Sequence, residues 1–276
     1  MTNRLSIRAL AFLLTCALGA CTTVEPPAEA LQDVPEIRPG ILQGYLPMDQ
    51  PFRSVEFVPA SPRENSAQQQ FDTAVSDYAL SLRGGPRWTM AEHDAHVTFP
   101  AVADTFSCAL GIEISERQTP ATYMLLRRTL ADVGLATYSA KNAYQRQRPF
   151  MVNGQPTCTP EEEEQLRRDG SYPSGHTSIG WGWALILAEL APDRAEQILA
   201  RGRAYGESRI VCNVHWYSDV VAGRMVGAGA VARLHSNEQF LDAMAAARSE
   251  LDGLRAAGVK SNGACAEEQK NLTFGL

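Results

Sequence analysis

The chain has 276 residues, 45% of them hydrophobic and 20% charged, with a formal net charge of −6. This is enough for one apolar core of ordinary domain size. A net acidic chain is a poor general binder of nucleic acid, so any anion site has to be a local cluster of positive charge.

Residues 1–20 carry Arg4 and Arg8, then an apolar run from Ala9 to Ala20. The run is too short to span a bilayer and is laid out like a secretory signal. Leu18-Gly19-Ala20-Cys21 resembles a bacterial lipoprotein cleavage box, which implies cleavage before Cys21 and lipidation of that cysteine; a plain signal cut nearby is the alternative. Loss of Arg4 and Arg8 with the leader takes the charge from −6 to −8. The expected location is the periplasm, with the N-terminal lipid in the outer membrane as the only membrane attachment. Residues 21–40 are rich in Pro and Glu and read as a flexible tether. Residues 41–276 read as one domain, with no later run long and uncharged enough for a transmembrane helix.

Helical signals dominate that domain. Ser66 to Gln69 can form a capping box, with Phe71, Val75, Tyr78 and Leu82 recurring at helical spacing until Arg83-Gly84-Gly85-Pro86 stops the helix. Thr89 to Glu92 reads as a second capping box. Thr119-Pro120 fits an N-cap and first helical position, with Tyr123, Leu126, Leu130, Val133 and Ala136 on one face and continuation towards Tyr144. Thr159-Pro160 followed by four glutamates, with Arg167, Arg168 and Gly170 behind them, reads as a short surface helix aligned with its dipole rather than as paired catalytic carboxylates. Further helices are expected up to Leu190, from Pro192 to about Arg209 with Ile198 and Leu199, after a Ser218 cap with Val221, Met225 and Val226, and from Asn237 to Ala257. Val55 to Val58 is the best strand candidate. The fold expected is all-α, a single globular helical domain with a helical-bundle core.

Cys108, Cys158, Cys212 and Cys265 remain after the leader and Cys21 are set aside, an even number in an oxidising compartment and without metal-site spacing. Three pairings are open. Cys158 with Cys212 is favoured because both flank the segments described next, which leaves Cys108 with Cys265.

Three segments carry unusual chemistry: Lys141 to Pro149, Ser171 to His176, and Ser208 to Asp219. Lys141 and Arg148 lie two helical turns apart, on one face if a helix continues that far, although Pro149 places Arg148 at a helix end. Arg209 adds a third cation, and three converging cations need an anion, for which arginine's planar fork suits phosphate oxygens. A helix opening at Ser174-Gly175-His176 exposes free backbone N–H groups and the positive end of its dipole. Ser174 can donate a hydroxyl, Gly175 allows close approach, and His176 stands where a leaving oxygen needs a proton. Asp219, at another helix start, can fix the tautomer of His215 and leave the second ring nitrogen free to attack phosphorus. His93 and His96 have no converging partners, and His235 reads as a dipole partner at a helix C-terminus.

Taken in order, the patterns KxxxxxxRP, PSGH and SRxxxxxHxxxD resemble the signature of the phosphatidic-acid-phosphatase type 2 and vanadium haloperoxidase superfamily. The runs GSYPSGHTSIGW and VCNVHW look in particular like the bacterial class A non-specific acid phosphatases. The resemblance spans roughly Ala67 to Arg248. It implies metal-free hydrolysis of small phosphate monoesters without a cofactor. His215 would be the nucleophile, Asp219 its orienting partner and His176 the acid, with Lys141, Arg148, Ser174, Gly175 and Arg209 holding the phosphoryl oxygens. Soluble relatives often form homo-oligomers. A vanadium haloperoxidase would hold vanadate in the same pocket, and a lipid phosphatase of the superfamily normally has several transmembrane helices. A lipoprotein that only captures phosphate would need the cations but not the ordered His215–Asp219 pair.

Overall fold

A computed structural model describes residues 34–274. The expected leader, Cys21 and most of the expected tether lie outside these residues. Two short antiparallel strands, β1 (Glu36–Arg38) and β2 (Ile41–Leu42), form the only sheet among the described residues and take in the end of the expected tether. The helices in chain order are α1 (Ser54–Phe57), α2 (Ala67–Leu80), α3 (Pro86–His93), α4 (Ser107–Leu110), α5 (Pro120–Leu135), α6 (Tyr138–Tyr144) and α7 (Pro149–Asn153), followed by α8 (Glu163–Leu166), α9 (Gly175–Leu190), α10 (Ala195–Val211), α11 (Tyr217–Leu234), α12 (Glu238–Ala256) and α13 (Cys265–Asn271). The fold is all-α, with one main core. No helix among the described residues is long and apolar enough to cross a membrane.

The bundle is built around α9, which is apolar on nearly every side and packs against α5, α10, α11 and α12. Trp183 fills its centre and donates from Nε1 to the Leu126 carbonyl of α5 at 3.0 Å. The carboxylate of Glu250 on α12 caps α5, accepting from the backbone N–H groups of Ala121 at 2.8 Å and Thr122 at 3.0 Å. Close approach of α11 to α9 depends on Gly223, where an added Cβ would lie 2.6 Å from the Ser174 carbonyl oxygen. That approach holds the starts of α9 and α11 side by side, and the Ser174 N–H donates to the Asp219 carbonyl at 3.0 Å. Disulfides join Cys108 to Cys265 and Cys158 to Cys212, with Cα–Cα distances of 5.2 Å and 4.8 Å. The second ties the loop before α8 to the end of α10.

Several local expectations are corrected. Val55 to Val58 is not a strand: α1 forms there, and the Ser54 hydroxyl meets Ser139 and the Ala140 N–H of α6 instead. Thr89 does not cap a helix, because Gly85 and Pro86 have already opened α3, and Glu92 accepts from the Trp88 indole at 2.8 Å. On α2, Phe71 is 53% and Tyr78 39% exposed. The inward face is Asp72, Val75, Ser76 and Ala79, since this face serves a polar network as well as a small apolar cluster. The helix after Pro120 breaks at Ala136–Thr137, so α5 and α6 are separate. Ser218 lies inside the first turn of α11, with its hydroxyl turned to Asp72, and the buried face is Val220 and Val226 rather than Val221 and Met225.

Candidate active site

Lys141 sits on α6, but Arg148 does not share its helix. Gln145 adopts a left-handed conformation that ends α6, and Arg148 becomes the N-cap of α7 with Pro149 behind it. The two cations meet across the turn instead. The Lys141 ammonium donates to the Asp169 carboxylate at 3.1 Å and to the Gly170 carbonyl. Arg148 donates to the same Asp169 oxygen at 3.3 Å and to the carbonyls of Leu166 and Val214, each at 3.0 Å. Gly170 is small of necessity: an added Cβ would be 2.9 Å from the Lys141 carbonyl oxygen. Burial, and then the neighbouring Arg148, lowers the Lys141 pKa to about 8.

Arg209 lies in the last turn of α10, where its guanidinium is 0% exposed and none of Nε, Nη1 or Nη2 has a hydrogen-bond partner among the described residues. Buried arginines are ordinarily paired, because a charge taken out of water without a partner is costly. Arg201, two turns earlier on α10, shows the usual arrangement, with both terminal nitrogens on Asp94. Burial lowers the Arg209 pKa to about 10, which still leaves it charged at neutral pH.

After α10 the chain turns sharply at Asn213, in positive φ, and the N–H groups of Val214 and His215 both donate to the Arg209 carbonyl at 3.2 Å. This turn carries His215 back beside Arg148. His215 Nδ1 is 3.3 Å from Asp219 Oδ2, and Nε2 is 3.1 Å from Arg148 Nη1. A carboxylate only accepts and a guanidinium only donates, so Nδ1 carries the hydrogen and Nε2 presents its lone pair to the cations. Burial, then Arg148 and Lys141, push the His215 pKa well below the ordinary histidine value.

Ser174 caps α9, its hydroxyl accepting from the Thr177 N–H at 3.3 Å. A Cβ on Gly175 would meet only Thr137 and Lys141, at 3.6 and 3.9 Å, so protein packing does not require glycine there. His176 Nε2 donates to the Ala95 carbonyl at 2.8 Å, which leaves Nδ1 as the nitrogen that can take up or give a second proton. Burial, then Arg209, hold the His176 pKa well below the ordinary value.

The eight residues singled out in the three segments therefore converge: Lys141, Arg148, Ser174, Gly175, His176, Arg209, His215 and Asp219. The sequence reading missed Asp169, which bridges two of the cations, and Arg146, which binds Asp219 Oδ1 at 2.6 Å. Arg146 lay within a segment already singled out, but nothing in its spacing separated it from a solvated charge. His235 bonds the Val231 carbonyl and Glu189, away from this centre.

The PAP2 superfamily model matches residues 121–240. The chain is 41% identical over 212 residues to a non-specific acid phosphatase of Providencia stuartii, covering 76% of this chain and 86% of that one. It is 40% identical over 211 residues to a non-specific acid phosphatase of Salmonella typhimurium, covering 74% and 84%. An acid phosphatase of Zymomonas mobilis is 42% identical over 198 residues, covering 70% and 74%. With a cation pocket, a helix start and a carboxylate-oriented histidine in one place, the chain belongs to the PAP2 superfamily, in its branch of bacterial non-specific acid phosphatases.

Proposed function

We propose that the protein hydrolyses phosphate monoesters of broad structure through a phosphohistidine, without a metal ion. The unpartnered Arg209 guanidinium carries this reading: a buried cation with three donor nitrogens free of protein partners among the described residues, near enough to Arg148 to feel its charge, suits a phosphoryl dianion. In the first step the Nε2 lone pair of His215 attacks phosphorus and the P–O ester bond breaks. The leaving alkoxide takes a proton from Nδ1 of His176. In the second step water attacks phosphorus, its proton passes to His176, and the P–N bond breaks to release phosphate. Arg148 must exchange its bond to Nε2 for one to the phosphoryl group as substrate enters. Lys141, Arg209, the Ser174 hydroxyl and the free N–H groups at the start of α9 stabilise the charge on the equatorial oxygens. The expected lipid at Cys21 would anchor this activity to the outer membrane.

The pH dependence follows from the two histidines. Because the His215 pKa is depressed, its neutral form persists into acid, and rate is lost only as pH falls through that lowered value. His176 must be protonated, and burial, then Arg209, oppose this in the free protein. A bound phosphoryl dianion offsets Arg209, so the His176 titration midpoint is expected to rise when inorganic phosphate is added, as read by histidine NMR. Turnover at saturation is then lost as pH rises through the raised value. A rate that stays flat from about pH 5 to about pH 9 would count against His176 as the acid.

Turnover of p-nitrophenyl phosphate is expected to survive prolonged EDTA treatment and gel filtration. Lasting loss restored by zinc or magnesium would overturn the metal-free scheme.

A further inference from the structure

We propose that Arg146, between α6 and α7, and Asp72, on α2 outside the signature segments, act as a positioning pair for His215, working through Asp219. This deepens the phosphohistidine reading and rests on it for the role of His215. The Arg146 side chain is only 7% exposed and Asp72 is fully buried. Arg146 Nη1 donates to Asp219 Oδ1 at 2.6 Å and to the Ser218 hydroxyl at 2.7 Å. Its Nη2 donates to Asp72 Oδ2 at 2.7 Å and to the Gln69 side-chain oxygen at 2.6 Å. Asp72 Oδ1 accepts from the Ser218 N–H at 2.8 Å, and Asp72 Oδ2 accepts from the Ser218 hydroxyl at 2.5 Å. Gln69 and Asp72 are both on α2, which precedes the residues matched by the superfamily.

This arrangement decides what Asp219 can do. With Oδ1 held by Arg146, Oδ2 is left for the Trp216 N–H at 2.8 Å and for His215 Nδ1 at 3.3 Å. The carboxylate cannot rotate to offer His215 a different oxygen without losing the guanidinium. Its charge is also shared. Arg146 stands between two buried carboxylates, so Asp219 orients the imidazole without exerting its full attraction for an imidazolium. The other groups facing His215 are the cations Lys141, Arg148 and Arg209 together with His176, while Asp169 pairs with Lys141 and Arg148. All the cations favour a neutral ring, and Arg146 keeps Asp219 from reversing that balance. Arg146 is thus a positioning residue. It touches neither the proposed phosphoryl pocket nor the reacting nitrogen.

The test uses protein labelled with ¹⁵N in the histidine rings, free of phosphate, with the His215 signals assigned by their loss in His215→Ala. In the unmodified protein His215 is expected as the Nδ1–H tautomer with a midpoint below that of an ordinary histidine. Arg146→Gln is expected to raise the midpoint by roughly one pH unit or more, because Asp219 then acts on His215 undiluted. It is also expected to lower kcat on the order of 10- to 100-fold, as for other supporting-shell residues, with KM changed far less. Arg146→Lys retains the charge and should return the midpoint towards its original value. An unmoved midpoint and tautomer in Arg146→Gln, with activity falling only as far as folded protein is lost, would overturn the proposal. Should Arg146→Gln fail to fold, Asp72→Asn decides: a fall in kcat with KM retained supports the pair, and unchanged kcat removes Asp72 from it. The ring titration reads the coupling whether or not His215 proves to be the nucleophile, so the two readings can fail separately.

Discussion

His215→Ala is expected to reduce p-nitrophenyl phosphate turnover on the order of 10⁴-fold or more, the scale seen when a nucleophile is removed from a catalytic unit that acts as a whole. The loss should fall on kcat, since Lys141, Arg148 and Arg209 still bind the phosphoryl group. Structural damage is expected to be modest. Arg148 Nη1 loses the imidazole but keeps the Val214 carbonyl, and Asp219 keeps Arg146 and the Trp216 N–H. Thermal unfolding of the variant should confirm a folded protein. Rapid acid-free quenching with ³²P-labelled substrate should trap a protein-bound phosphoryl group in the unmodified enzyme and none in the variant. If the variant kept activity within about tenfold, a 1.4 kcal/mol effect at most, His215 could not be the nucleophile.

Arg209→Met is expected to show opposite effects on activity and stability. The donors lost are those aimed at charge that develops in the transition state, and loss of one such group costs on the order of 10²–10³ in rate. The same substitution relieves a buried charge with no partner. An unsatisfied buried polar group costs about 1–3 kcal/mol, so the variant should be more stable than the parent by an amount of that order in phosphate-free buffer. Inorganic phosphate at 100 times its Kd should stabilise the parent by about 2.7 kcal/mol and the variant hardly at all. Paired unfolding curves with and without phosphate check both arms. Equal or lower stability of Arg209→Met without phosphate would mean that the guanidinium is satisfied in the free protein, and the main support for a phosphoryl pocket would be lost.

Both variants concern residues that the three segments single out. Lys141 and Arg148 show how that reading reached the right residues with the wrong local structure. A continuous helix would have put both on one face. The turn at Gln145 instead separates them along the chain, and Asp169 and Gly170 bring their head groups together. The helix opening at Ser174-Gly175-His176 was legible because a Pro-Ser-Gly turn running into an apolar stretch is a local signal, whereas the Ser174 cap on the Thr177 N–H was not. The inward face of α2 was not, since Phe71 and Tyr78 satisfy a helical period from the outside, where they pack edge-on against Tyr217 and Phe274.

The sequence by itself determined the helical class, the starts of α2, α5, α9 and α12, and the eight converging residues, because caps, periodicity and fixed spacing are written within a few residues of one another. Only the tertiary structure decided that Arg209 has no protein partner among the described residues, that Asp169 bridges two cations, and that Arg146 is shared by Asp72, 74 positions before it, and Asp219, 73 positions after it. The physical reason is the same in each case. Whether a charge is paired, shared or left free depends on what the fold brings within about 3 Å of it, the range of a hydrogen bond, and spacing along the chain carries no record of that distance.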